Sequence, residues 1–180
     1  MTTITPRTLA AEIEAATGVN PATCYQCGKC SAGCPMASET DLRPHQVMRK
    51  VVYSPRDKVL RDESIWFCLT CETCSARCPN SCDPARIIDA VREISDVEGV
   101  AVKPRAIEAF HKTFLEQVRA NGRLYEMGLV MGFKLRSRAF MSDVENAPGM
   151  FTRGKLSLMP DRIQGVAEVR RIFDKCGVTR

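Results

Sequence analysis

The residues best able to do chemistry in this chain are its cysteines, ten of them in 180 residues. Cys68, Cys71, Cys74 and Cys78 read C-x₂-C-x₂-C-x₃-C and are followed by Pro79; Cys24, Cys27, Cys30 and Cys34, followed by Pro35, repeat that spacing. Thiolates in this pattern are ligands for a [4Fe–4S] cluster. Three cysteines at x₂ spacing let one loop wrap three corners of the cube, while the fourth, ahead of the proline, ligates the other cluster. The pattern therefore assigns Cys24, Cys27, Cys30 and Cys78 to a first cluster, and Cys68, Cys71, Cys74 and Cys34 to a second. Zinc is expected on two C-x₂₋₄-C pairs, without the third cysteine or the Cys-Pro ending. A disulfide framework suits a small secreted chain, and nothing here reads as secreted. Cys82 and Cys176 are left over. Cys82 could replace a ligand or touch a cluster, but a spare thiol is the simpler reading; Cys176 shows no partner.

Other chemistry is hard to find. There is no G-x-G-x-x-G after a strand and no G-x-x-x-x-G-K-[ST], so nucleotide binding has no support. His45 and His111 fall on expected helices and read as ordinary helix-face residues. No nucleophile–base pair and no carboxylate pair can be proposed. A [4Fe–4S] cluster passes one electron at a time, whereas reducing a disulfide or a flavin takes two. Two clusters with no substrate site imply a relay between a donor and a separate catalytic polypeptide.

The elements that must hold these loops read as helices. Residues 7–17 place Leu9, Ile13 and Ala16 on one face, closed by Gly18. Gly28 and Gly33 lie within the first loop, where the backbone must turn tightly and amides can approach sulfur. Pro44 starts a helix carrying Val47, Met48 and Val51, which Tyr53-Ser54-Pro55 ends. Residues 56–67 read as helical, and Pro84 starts another helix after the second loop. The chain is thus a duplication, cysteine loop then proline-started helix, and predicts an all-α fold, a helical ferredoxin, over residues 1–100. Tyr25, Trp66 and Phe67 adjoin ligands and either shield the clusters from water or simply pack. Residues 101–180 are expected to form a helical arm: helices over 104–120, 123–135 and 161–175, with an irregular stretch at 140–160 carrying Met141, Met150, Phe151, Leu156, Leu158 and Met159. The arm has more apolar surface than its local core needs, which points to partner docking or to a second lobe packed on the first.

Charge is unevenly placed. The chain carries +5, with 15 Lys+Arg against 8 Asp+Glu from residue 101 on and 11 against 13 before it. A basic arm with few aromatics and no nucleic-acid-binding pattern points to an acidic protein partner and away from nucleic acid. No stretch approaches the roughly 18 apolar residues of a membrane helix, so no direct membrane insertion is expected. Many thiols without a signal peptide point to a reducing, cytoplasmic setting.

The segments Cys24-Tyr25-Gln26-Cys27-Gly28-Lys29-Cys30-Ser31-Ala32-Gly33-Cys34-Pro35, Arg43-Pro44-His45-Gln46-Val47-Met48-Arg49 and Ile65-Trp66-Phe67-Cys68 resemble the C-type subunit of heterodisulfide reductase and its bacterial homologues. Gly154-Lys155-Leu156-Ser157-Leu158-Met159-Pro160 and Glu168-Val169-Arg170-Arg171-Ile172-Phe173 look similar to that family's tail. The resemblance implies an α-helical ferredoxin with two [4Fe–4S] clusters. It also implies two partners in heterodisulfide reductase complexes. One is a flavin-containing A-type subunit, the electron donor or acceptor; the other is a B-type subunit whose CCG motifs carry the disulfide or thiol-sulfur chemistry. This chain has no Cys-Cys pair, so that module must be a separate polypeptide of a hetero-oligomeric complex. Two other readings compete: the iron–sulfur subunit of a fumarate-reductase-like or glycerol-phosphate-dehydrogenase-like quinone enzyme, and a free ferredoxin. The first usually adds a plant-type [2Fe–2S] domain or fused CCG domains, and neither pattern occurs here.

Overall fold

A computed structural model describes residues 8–138 and 159–177. Among these residues every regular element is a helix, so the fold is all-α. The chain divides into two units, Met1–Lys103 and Pro104–Arg180.

In the first unit, α1 (Leu9–Thr17) begins where Thr8 accepts the Ala11 amide and buries Leu9 and Ile13. Ala16, on the same turn-to-turn row, is exposed. A 3₁₀ turn, Pro21–Thr23, leads into the first cysteine loop, which contains the short α2 (Lys29–Ala32). α3 (Pro44–Tyr53) starts on its proline, with Gln46 Oε1 accepting the Arg43 amide at 2.9 Å. Its buried residues are Pro44, Val47, Met48 and Val51, the expected stripe.

Residues 56–67 are not one helix. They split into α4 (Arg56–Leu60) and a 3₁₀ turn, Glu63–Phe67. Asp62 makes the break: its Oδ1 accepts the Ser64 amide at 3.0 Å and its Oδ2 takes Lys50 Nζ at 2.7 Å. A side chain that satisfies a backbone amide in this way competes with the helical bond. Burial pushes the Asp62 carboxyl up, but the bonds from Lys50 and Ser64 outweigh it and hold the group below the usual range. Val59, Leu60 and Ile65 face inward on either side of the break.

The second cysteine loop contains α5 (Thr73–Ala76), and α6 (Pro84–Val97) follows. α6 buries Pro84, Ala85, Ile87, Ile88, Ala90, Val91 and Ser95, and it packs on α1, α3, α4 and α5. It is the central helix of this unit. Arg56 ties its end down, with Nε and Nη2 on the Glu12 carboxylate at 3.2 and 2.9 Å and Nη1 on Glu98 Oε2 at 2.7 Å. Those bonds, to Glu98 first and Glu12 second, hold the Arg56 guanidinium above its ordinary range, and Arg56 holds the Glu98 carboxyl below its own. A depressed carboxyl contributes stability above its unfolded value, and that contribution disappears as pH falls through the folded one. Replacing Arg56 by Met is therefore expected to lower stability at pH 7 and to cost progressively less below about pH 4. Urea unfolding of both forms at pH 7 and pH 3 checks this; an equal difference at the two pH values would contradict it.

In the second unit, α7 (Arg105–Asn121) packs on α8 (Glu126–Ser137) and on α9 (Val166–Cys176). The residues buried along α7 are Ala109, Thr113 and Asn121, which are small or polar, whereas Phe110 and Phe114 remain part-exposed and stack at 6.2 Å. Gly132 allows the close approach of α8, since a Cβ there would lie 2.6 Å from Thr113 Cγ2. Gly132→Val is expected to cost about 1–3 kcal/mol by overpacking, read as a lower midpoint in thermal unfolding of the full chain. α9 starts at Val166, later than residue 161, because the preceding segment is tied sideways: the Ile163 amide donates to the Asn121 carbonyl at 3.2 Å. Of the expected irregular stretch, Met141, Met150, Phe151, Leu156 and Leu158 lie outside the described residues.

Candidate iron–sulfur centres

The two loops repeat each other in backbone as well as in sequence. Gln26 and Gly28 in the first, and Thr70 and Glu72 in the second, all have positive φ, at 58°, 75°, 52° and 59°. Each pair sits two and four residues after the first cysteine of its run. The left-handed residues curl the loop so that cysteines at x₂ spacing face one centre. A glycine takes that conformation freely, whereas Gln26, Thr70 and Glu72 each carry strain of about 1 kcal/mol or more, as is common at functional sites. The loops also meet each other: a Cβ on Gly33 would lie 2.7 Å from Arg77 Cδ, so the Arg77 side chain of the second loop lies directly over Gly33 of the first.

That crossing sorts the thiols. One cavity is lined by Cys34, Cys68, Cys71 and Cys74, with Leu42, Pro44, Val47, Ile65 and Ile88 forming apolar walls. A second is lined by Cys24, Cys27, Cys30 and Cys78, with Tyr25, His45, Pro79 and Pro84. Each cavity takes three cysteines from one run and one from the other, and the second also holds Cys82. Ala85, 1% exposed, lines the first cavity and shares one buried cluster with Cys74 of that cavity and Cys30 of the other. All ten cysteines are free thiols. Among the described residues no three Cys, His, Asp or Glu converge closely enough to hold a single metal ion. The four thiols of the two runs around each cavity make the Cys₄ donor set that holds a [4Fe–4S] cube.

Burial pushes the Cys30, Cys68 and Cys74 thiols up, Cys74 to about 11. Cys71, at the surface, is lowered by its hydrogen bond with Thr73. Ligation requires thiolates, so loading these sites releases protons. Donors already face two sulfurs: Gln26 Nε2 on Cys24 Sγ at 3.3 Å, and the Cys82 amide on Cys78 Sγ at 3.3 Å. Arg92 braces the entry to the second loop, donating to the Ile65 carbonyl at 2.8 Å and the Cys68 carbonyl at 2.6 Å.

The aromatic residues part company here. Trp66 is buried, with Lys103 Nζ 4.5 Å and the Arg92 guanidinium 5.6 Å from its ring centroid. Tyr25 lines the cavity of Cys24 but is 71% exposed, so it gives that cavity little cover from water. Cys82 is 1% exposed and lines the same cavity as Cys78, with Thr23 Oγ1 3.4 Å from its sulfur. Cys176 is exposed at the end of α9. His45 is the residue that sequence reasoning passed over: it lines a thiol cavity, with Nδ1 2.6 Å from Ser31 Oγ. Its position one residue after the helix-starting proline, in register with Ala85 of the duplicate, was the available signal.

The fold and its two thiol cavities define a class, an all-α protein with a pair of [4Fe–4S] clusters. A family model described as a 4Fe-4S dicluster domain matches residues 23–83. The chain is 36% identical over 115 residues to a C-type iron–sulfur subunit of CoB–CoM heterodisulfide reductase from Methanocaldococcus jannaschii, covering 63% of this chain and 61% of the relative. It is 41% identical over 83 residues to the C-type subunit of a ferredoxin:CoB–CoM heterodisulfide reductase of Methanosarcina acetivorans, covering 46% of this chain and 33% of the relative. The corresponding subunit of a ferredoxin/F420H2-dependent CoB–CoM heterodisulfide reductase from the same organism is 30% identical over 120 residues, covering 63% of this chain and 73% of the relative. The chain thus spans between a third and three-quarters of the length of these relatives. It belongs to the family of C-type iron–sulfur subunits of heterodisulfide reductase.

Proposed function

We propose that this chain is the electron-transfer subunit of a heterodisulfide-reductase-like complex. It relays single electrons between a flavin-containing A-type subunit and a CCG-motif B-type subunit that works on a disulfide or thiol-sulfur substrate. In this reading Cys24, Cys27, Cys30 and Cys78 hold one [4Fe–4S] cluster, and Cys34, Cys68, Cys71 and Cys74 hold the other. Each cluster supplies a one-electron carrier, and two electrons with two protons convert one disulfide to two thiols on the catalytic partner. The crossed sets of thiols around two adjoining cavities carry the reading. The residues of the chain separate and expose the two carriers. Ala85 packs in one buried cluster with a thiol of each set, Cys30 and Cys74. Cys27 and Cys71 are exposed, each beside an exposed apolar residue, Tyr25 or Leu69. Each cavity therefore has its own edge at the surface, one for each partner. Residues 101–180 serve as the partner-docking arm, supported by the exposed Met131, Leu135 and Ile172.

Anaerobic affinity capture from native cells tests the assignment. A flavoprotein and a CCG-motif protein are expected among the captured chains; a membrane quinone-binding protein, or no partner, would overturn it. Truncation after Gly99 tests the arm, and undiminished partner binding by the truncated chain would remove its docking role.

A further inference from the structure

The duplication puts the same serine beside a ligand in each half. Ser31 follows Cys30 and Ser75 follows Cys74. Each hydroxyl accepts the amide of the residue after the helix-starting proline: His45 N to Ser31 Oγ at 3.1 Å, Ala85 N to Ser75 Oγ at 3.3 Å. The halves differ in what else the hydroxyl meets. Ser75 Oγ lies 2.5 Å from Asp83 Oδ1. A carboxylate only accepts, so the serine's single proton is committed to it. Ser31 Oγ lies 2.6 Å from His45 Nδ1 and 3.9 Å from Cys30 Sγ. An imidazole nitrogen can carry a proton of its own, which leaves the serine's proton free to point elsewhere.

We propose that His45 donates from Nδ1 to Ser31 Oγ and thereby turns the Ser31 hydroxyl proton onto Cys30 Sγ, raising the reduction potential of the first cluster, while Asp83 withholds the equivalent donor from Cys74. Beside a ligand sulfur that carries negative charge, this orientation aims both dipoles at the charge, and each polarises the next. A donor to sulfur stabilises the more negative, reduced form, and hydrogen bonds to sulfur are one of the levers that set cluster potential. His45 is a positioning residue, since it acts through Ser31. The inference rests on the ligand sets proposed above.

The test is an anaerobic redox titration of the full chain with both clusters loaded, following each midpoint by EPR. Cys30→Ala first identifies the signal of the first cluster by removing it; loss of both signals or of neither would sink the ligand sets rather than the hydrogen-bond chain. With the signals assigned, Ser31→Ala and His45→Phe are each expected to lower the first midpoint and leave the second in place. Ser31→Thr keeps the hydroxyl and restores the wild-type value. Ser75→Ala leaves the second midpoint unmoved, because its proton never reached sulfur. A first midpoint that stays put in Ser31→Ala or His45→Phe overturns the proposal, as does a fall in the second midpoint of Ser75→Ala as large as that of the first in Ser31→Ala. Should Ser31→Ala fail to load its cluster, His45→Phe, which leaves the residue next to the ligand intact, decides the matter.

Discussion

Cys78→Ala is expected to cost the chain one cluster and half its iron, and the cluster lost is the one held by the other loop. Cys78 belongs by sequence to the run that begins at Cys68, but its side chain lines the cavity of Cys24, Cys27 and Cys30. If ligation followed sequence, the variant would lose the cluster of Cys68, Cys71 and Cys74 instead. The double variant Cys78→Ala with Cys24→Ala separates the outcomes: in the crossed arrangement it loses nothing beyond the single variant, whereas ligation by sequence predicts loss of both clusters. Iron content and EPR on the purified chain read the result directly. The buried Cys82 thiol in that cavity gives the experiment a further arm. If the single variant keeps all its iron, adding Cys82→Ala shows whether that thiol has moved into the vacated corner; retention in both would refute the crossed ligand set.

Ala85→Leu is expected to damage both clusters at once. Ala85 is 1% exposed and packs in one buried cluster with Cys30 and Cys74. Its own amide is held by Ser75 Oγ at 3.3 Å, so the backbone has little room to retreat. Three more carbons there cannot be placed without displacing a ligand of each set. Overpacking of a tight core costs about 1–3 kcal/mol in ordinary cases. Here it also perturbs ligation, which is coupled to folding, so both iron content and the denaturation midpoint should fall together. Ala85→Gly provides the contrast: it opens space and is expected to retain both clusters with a modest loss of stability, at most about 1 kcal/mol, since the glycine falls in the first turn of α6. Full iron loading in Ala85→Leu would show that the cavities are further apart than the packing around Ala85 indicates.

Much of this fold could be read from local patterns. The helix starts at Pro44 and Pro84, the stripe Val47, Met48 and Val51, and the closure of α1 at Gly18 all depend on residues within a turn or two of one another, and all stand where they were expected. The division of residues 56–67 was not legible. Asp62 makes it by taking the Ser64 amide on one carboxylate oxygen and Lys50, twelve positions back, at 2.7 Å on the other, and a hydropathy pattern registers neither bond. The late start of α9 has the same kind of cause, an amide at Ile163 drawn to the carbonyl of Asn121.

The site divides along the same line. By itself the sequence determined the chemistry: the number and spacing of the thiols, the duplication, and the absence of any motif that would spend the electrons. Ligand spacing is a short-range property, so it survives translation into a one-dimensional pattern. Only the tertiary structure decided what surrounds the thiols. Packing of the second loop across Gly33, and of α6 against the first half, brought His45 to a cavity wall, buried Cys82 beside Cys78 and packed Ala85 with a thiol of each group. These contacts join residues tens of positions apart, and they arise from which helix faces bury together, a choice that no local spacing encodes.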